Sequence, residues 1–211
     1  MASSATIRVI AWCGIAAPVI RVLSVIVFGY LDPIYVQSRD FINELGADGA
    51  PHASWMNVAI LANAALVVVF GAGLAWLVWP RILFAIGAAT LAVSGLIFVG
   101  VGTNQCDAGC IMTAMSEAQR AHLMYAVIGM FLQANAVLIV GVGAVLAAGW
   151  RRYGYVSLAL GAIAVAAMFA LVTGQGGADY SGALQKLYQL SIDIWMFALA
   201  VGLLRNADRS T

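Results

Sequence analysis

Charge is scarce in this chain: Asp, Glu, Lys and Arg make up 9% of 211 residues, while 64% are hydrophobic. So little polar surface cannot clothe a water-soluble globule of this size. The formal net charge of +1 supplies no concentrated basic surface, which argues against nucleic acid as a partner. Histidine is limited to His52 and His122, with no His-x-x-x-His or similar spacing. A bundle haem, which takes two well-placed axial side chains, is therefore not expected, nor is a resident metal or other cofactor. No Ser or Cys sits in a nucleophile elbow, and no second pair of thiols stands at zinc-ligand spacing. An internal repeat or an interrupted helix, the usual marks of a transporter, is also missing.

What the chain has in abundance is long apolar runs. Six can be drawn: about Val9 to Leu31, Met56 to Val78, Ile82 to Gly102, His122 to Ala147, Tyr153 to Thr173 and Leu184 to Leu204. Each has the roughly 20 residues that an α-helix needs to cross a hydrocarbon layer of about 30 Å. Membrane β-strands would be about ten residues long with alternating polarity, and these runs are continuous. The expected fold class is all-α, a six-helix transmembrane bundle forming a single integral membrane domain over residues 1–211. Its longer connections are 32–55 and 103–121.

The basic residues suggest an orientation. Arg8, Arg81, Arg151, Arg152, Arg205 and Arg209 fall on one side if the spans alternate, against Arg39, Arg120 and Lys186 on the other. Short loops rich in Lys and Arg stay cytoplasmic, so both termini are expected inside, in a cell inner membrane. Trp55, Trp76, Trp79, Trp150 and Tyr153 stand where an interfacial aromatic belt would put them. Gly95, Gly100, Gly141, Gly143 and Gly161 would let helix backbones approach closely. The apolar run after Arg8 is too long for a secretion-signal core and has no convincing cleavage site, so it is read as the first span. Cys13 within it is expected to be a small buried hydrophobe.

Cys106 and Cys110 share one external loop, in a compartment that permits oxidation, and are expected to be bonded to each other. Two ionisable residues lie inside spans. Arg21 is about ten residues from the outer end of span 1 and Asp193 about nine from that of span 6, which places both near 14 Å depth at about 1.5 Å per residue. A lone charge there costs several kcal/mol, so the two are expected to meet and spans 1 and 6 to be neighbours. Such a pair can serve a site or merely fix helix register.

Further polar residues repeat at helical spacing: Gln185, Gln189 and Asp193 on span 6; His122, Tyr125, Gly129 and Gln133 on span 4; Thr90 and Ser94 on span 3. With Arg21, Ser24, Asn57 and Asn63 they outline a polar cleft open to the outer face, although each stripe alone is also what interhelical hydrogen bonding would need. Above it, the segment 39–52 is expected to hold a short amphipathic helix that lies on the membrane surface and covers the cleft, with Asp40 and Glu44 one turn apart. Gly46 and Gly49 would end that helix.

The block from Asn43 to Pro51 ahead of an Asn57-bearing span, the Cys106-Asp107-x-Gly109-Cys110 loop and the stretch from Ser116 to His122 resemble a prokaryotic membrane family catalogued as domain of unknown function 998. That family is distantly similar to the Frag, DRAM and Sfk membrane proteins, one branch of which takes part in lipid remodelling of GPI anchors. The resemblance implies six helices and important outer loops, and it carries no mechanism.

The leading expectation is a membrane protein that binds, or binds and modifies, a lipid or other amphiphile in an outward-facing cleft. Arg21, Asp193, Gln189, His122 and Asn57 would shape the site. The partners are then the bilayer and its amphiphiles. A small transporter or channel gated by Arg21 and Asp193 is one alternative, and a structural subunit whose polar residues meet partner membrane subunits is another. If there is catalysis, its candidates are His122 as a base with Asp107 and Glu44 to orient it or hold a divalent ion.

Overall fold

A computed structural model describes residues 3–175 and 177–208 of the chain, so Arg209 lies outside the described residues. Six α-helices make up the structure, α1 (Ser4–Leu31), α2 (Ala53–Val78), α3 (Ile82–Thr103), α4 (Glu117–Leu146), α5 (Arg151–Val172) and α6 (Gly177–Asp208), and no strand occurs among the described residues. All six are long and apolar enough to cross a membrane.

Local chemistry sets several of the ends. Ser3 accepts a hydrogen bond from the Thr6 amide at 3.1 Å, and this cap starts α1 at Ser4, a full turn before the hydrophobic run begins. Ser116 caps α4 in the same way, accepting from Gln119 N at 3.1 Å. α6 begins at Gly177, seven residues before the run that starts at Leu184, so its first two turns rise above the neighbouring helix ends.

Each helix packs against the next in the sequence, and α1 packs against α6, so the bundle closes as a ring in chain order. Contacts between α2 and α3 and between α3 and α4 are the most extensive, and glycine explains how close they come. A β-carbon at Gly71 would stand 2.6 Å from the Ala92 amide nitrogen, and one at Gly143 would stand 2.5 Å from that of Phe84. α6 is the innermost helix, with 61% of its apolar window buried against 22% for α5.

The half of the bundle nearer the termini is filled by Phe70, Leu74, Phe84, Trp195, Met196 and Leu199, all buried. Its polar atoms are paired: the Trp195 indole donates to Ser157 Oγ at 2.8 Å, and that hydroxyl donates to the Tyr153 carbonyl at 2.7 Å. Trp55, Trp76 and Trp79 are exposed as interfacial anchors would be. Trp150 and Tyr153 instead turn inward, Trp150 packing edge-on to Phe84 at 5.2 Å.

Candidate functional site

Three helices converge on one guanidinium. Arg21 of α1 donates through Nε to both carboxylate oxygens of Asp193 on α6, at 3.1 and 3.2 Å, and one of its terminal nitrogens closes a second bond to the same carboxylate. Its other terminal nitrogen donates to Asn63 Oδ1 of α2 at 3.3 Å. With its amide oxygen turned toward the arginine, Gln189 accepts from the two terminal nitrogens at 2.9 and 2.8 Å. The side chains are 11% exposed for Arg21 and 4% for Asp193, so the charges meet in a nearly dry environment where pairing and full hydrogen bonding are required.

Asn63 completes the cluster from α2. It lies ten residues into α2 from Ala53, as Arg21 lies ten residues from the Leu31 end of α1, so equal depth was the available signal. Its amide also donates to the Ala17 carbonyl at 2.7 Å, which locks α2 to α1. Asn57 donates to the Gly46 carbonyl at 3.0 Å and holds the loop above the cluster.

That loop corrects the expected surface helix. Ile42–Gly46 is a single 3-10 stretch, with Ile42, Leu45 and Gly46 buried, and Asp40 precedes it instead of sharing a helical turn with Glu44. The physical reason is that Ile42 and Leu45 pack on Val25 and Met56 inside the bundle, where burial is more complete than at a membrane surface. Backbone bonds fasten the segment to α6. Ile42 N donates to Gln185 Oε1 at 2.6 Å, Gly182 N to the Arg39 carbonyl at 3.0 Å and Ala183 N to the Ser38 carbonyl at 2.7 Å. A β-carbon at Gly182 would fall on the Asp40 carbonyl oxygen, so only glycine permits this approach.

Within the loop, Asp40 accepts from Arg39 Nε at 2.5 Å and from the Val36 amide at 2.7 Å. The bond to Arg39, followed by that amide, holds the carboxyl of Asp40 below its ordinary range against the opposing effect of burial. Glu44 accepts from the Phe41 amide at 2.8 Å, yet burial pushes its pKa up. Tyr35 is pushed far up, first by burial and then by the nearby Glu44 and Asp40 charges.

Cys106 and Cys110 form a disulfide, and the Cys106 carbonyl accepts from the Asp48 amide at 2.8 Å, so the two long connections are joined. Asp107 accepts from the Ser116 amide at 2.8 Å, and these bonds with Ser116 lower its pKa. His122 is buried, with Nδ1 2.7 Å from the Asn104 carbonyl and 3.1 Å from that of Val101. Both of those atoms are acceptors, so Nδ1 carries the proton and pins the end of α3 to α4. His52 stacks on Phe28 instead, with ring centroids 5.8 Å apart. The two histidines thus have separate partners, and His122, Asp107 and Glu44 serve three different backbone bonds. Among the described residues, no group of three or more His, Cys, Asp or Glu side chains is placed to hold a metal.

Between the cluster and the loop lies a cavity of about 50 Å³. Arg21, Asn63 and Gln189 form its floor, Gln185 and Met130 its sides, and Ile42 and Asn43 its roof. Val101 and Ala126, close to His122 on α3 and α4, contribute to its wall, whereas the imidazole does not. Thr90 and Ser94 also stay out, since their hydroxyls bond to the Ile86 and Leu91 carbonyls of their own helix. Gln133 is fully buried, and neither atom of its amide has a protein partner.

A family model described as protein of unknown function (DUF998) matches residues 15–202. No curated protein and no solved structure matches.

Proposed function

Because the chain belongs to the DUF998 family, whose description names no activity, its role must be argued from the site, and we propose that it binds the polar head of a lipid or other amphiphile at the Arg21 cluster. The observation that carries this reading is the cavity roofed by a docked loop and floored by a buried guanidinium. At about 50 Å³ it has room for only one or two waters, so a headgroup enters as the Ile42–Gly46 segment lifts. The loop is held by backbone and side-chain bonds to α6, by Asn57 of α2, by the joint to the Cys106 carbonyl and by the packing of Ile42 and Leu45, so its lifting breaks these together.

The side carrying the loop and the disulfide is external in this reading, and both termini are cytoplasmic, in agreement with the bias of Arg toward the opposite turns. Binding is favoured over catalysis because Asp107 and Glu44 accept backbone bonds apart from each other and from His122, whose Nε2 is buried without a protein partner and off the wall of the cavity. Transport finds less support, since Ile192, Trp195, Met196 and Leu199 are buried below the cluster.

The test separates a site from a register device. Replacing a buried ion pair by apolar residues of similar volume is often close to neutral for stability. The double variant Arg21→Met/Asp193→Leu is therefore expected to fold and to lose the lipids that native mass spectrometry finds on the wild-type protein. Retention of the same lipids in the same amounts by the folded double variant would overturn the proposal.

A further inference from the structure

The Arg21 cluster lines more than the roofed cavity. A second cavity of about 160 Å³ lies between α1 and α6, walled by Arg21, Gln37, Lys186, Gln189 and Asp193 with apolar neighbours such as Ile26. Arg21, Gln189 and Ile42 line both cavities and so form the partition between them. Toward the termini it adjoins a third hollow of about 370 Å³, with Val22, Leu190 and Asp193 shared between the two. This third hollow is a groove along the same seam, and apart from Asp193 its lining is apolar, with Val19, Leu23, Ile194 and Phe197 exposed on the outside of the bundle. From Leu190 to Phe197 it runs about 10 Å at the helical rise.

The polar end of this series holds a second cation besides Arg21, Lys186, on which the nearby Asp40 and Glu44 carboxylates also act. Arg21 is neutralised by Asp193, but Lys186 donates to the Asp40 backbone carbonyl at 2.8 Å and not to a carboxylate. Its ammonium lies 5.0 Å from the centre of the Tyr35 ring, and two of its three donor hydrogens remain for another acceptor. A chamber holding a lysine ammonium and amide groups, joined to an apolar groove along the same seam, is complementary to a phospholipid.

We infer that the α1–α6 seam is a lateral portal for an anionic phospholipid, whose phosphate lies between Lys186, Gln37 and Arg21 while one acyl chain occupies the groove between Val19 and Phe197. This rests on the amphiphile-binding reading above and adds to it the ligand class and the route of entry. The lipid comes from the leaflet on the loop side, because Lys186 and Gln37 lie at that end and the groove leads away from it. Arg21 then stands between the portal and the roofed cavity.

The probe is phosphatidylglycerol carrying a diazirine on one acyl chain, compared with phosphatidylcholine labelled in the same way, in nanodiscs holding the full chain. Adducts are expected on the peptides spanning 18–23 and 190–198, with phosphatidylglycerol ahead by about fivefold, the scale of one basic residue acting on an anionic lipid. Lys186→Gln is expected to abolish that preference, and Leu190→Trp, which fills the groove from an exposed position, to abolish the seam adducts. Equal labelling by the two lipids, or adducts spread evenly over other outward residues such as Val69, Leu96 and Phe131, overturns the portal. The wild-type comparison decides this even if a variant fails to fold. Native mass spectrometry of the same samples tells the two claims apart: bound lipid without seam adducts removes only the portal, and no bound lipid removes both.

Discussion

Asp193 faces the steepest requirement of any residue in the chain, since its carboxylate is nearly enclosed by apolar helices and Arg21 supplies its neutralising charge. Asp193→Ala leaves the guanidinium buried with only the Asn63 and Gln189 carbonyl oxygens, and is expected to cost about 3–5 kcal/mol, the usual penalty for breaking one side of a buried pair. Denaturant titration in detergent checks this, and a loss below about 1 kcal/mol, as for a surface pair, would refute it. The meeting of Arg21 and Asp193 could be anticipated because depth along a spanning helix is a count of residues. Roles that depend on which way a side chain turns could not. Depth sets Asn63, which holds the arginine, apart from Asn57, but nothing in the sequence says that Asn57 turns to hold the loop. His122 looks like a catalytic base in a list of residues, and only the fold shows that its Nδ1 braces α3 against α4 while its Nε2 stays buried without a protein partner.

Among the elements, the six helices were legible because long apolar runs leave the backbone no other way to satisfy its hydrogen bonds in lipid. The connecting segment 32–52 was misread, since amphipathic spacing does not say whether the apolar side meets lipid or the bundle. The partners that decide it, Gln185 and Gly182, are about 140 residues away in sequence. This segment has its own acid sensitivity. The pKa of Asp40 is lowered in the folded protein, so its contribution is present above the ordinary carboxylate value and is lost as pH falls through the depressed folded value. Glu44 acts in the opposite sense: its folded pKa is raised, so its contribution is greatest below the ordinary value and declines as pH rises through the raised one. Hydrogen exchange of amides 34–48 is expected to stay slow through mildly acidic pH and to accelerate only below the ordinary carboxylate range. In Asp40→Asn that acid step should disappear, with fast exchange at every pH. An unchanged step in the variant would show that Asp40 is not its source.

At the scale of the whole molecule, the ring order of the helices follows from short turns between spans 2 and 3 and between 4 and 5, together with one charge pair joining the ends. The proposed orientation has a direct check in the disulfide. In intact spheroplasts, a membrane-impermeant phosphine followed by an impermeant maleimide is expected to label Cys106 and Cys110. An engineered cysteine in the 147–150 turn is expected to label only after lysis, and the reverse pattern would invert the topology. The ring also has a history written into its connectivity, because the two residues that close it are separated by 172 positions. At ribosomal rates, roughly 10–30 s pass between the synthesis of Arg21 and that of Asp193. During that interval the first crossing holds a cation in the membrane before its counterion exists. Asn63 arrives only 42 positions after the arginine and can offer it an amide oxygen in the meantime. The nascent protein therefore passes through a half-built bundle with a shielded cation at its heart, and the arrival of the sixth helix is the event that discharges it.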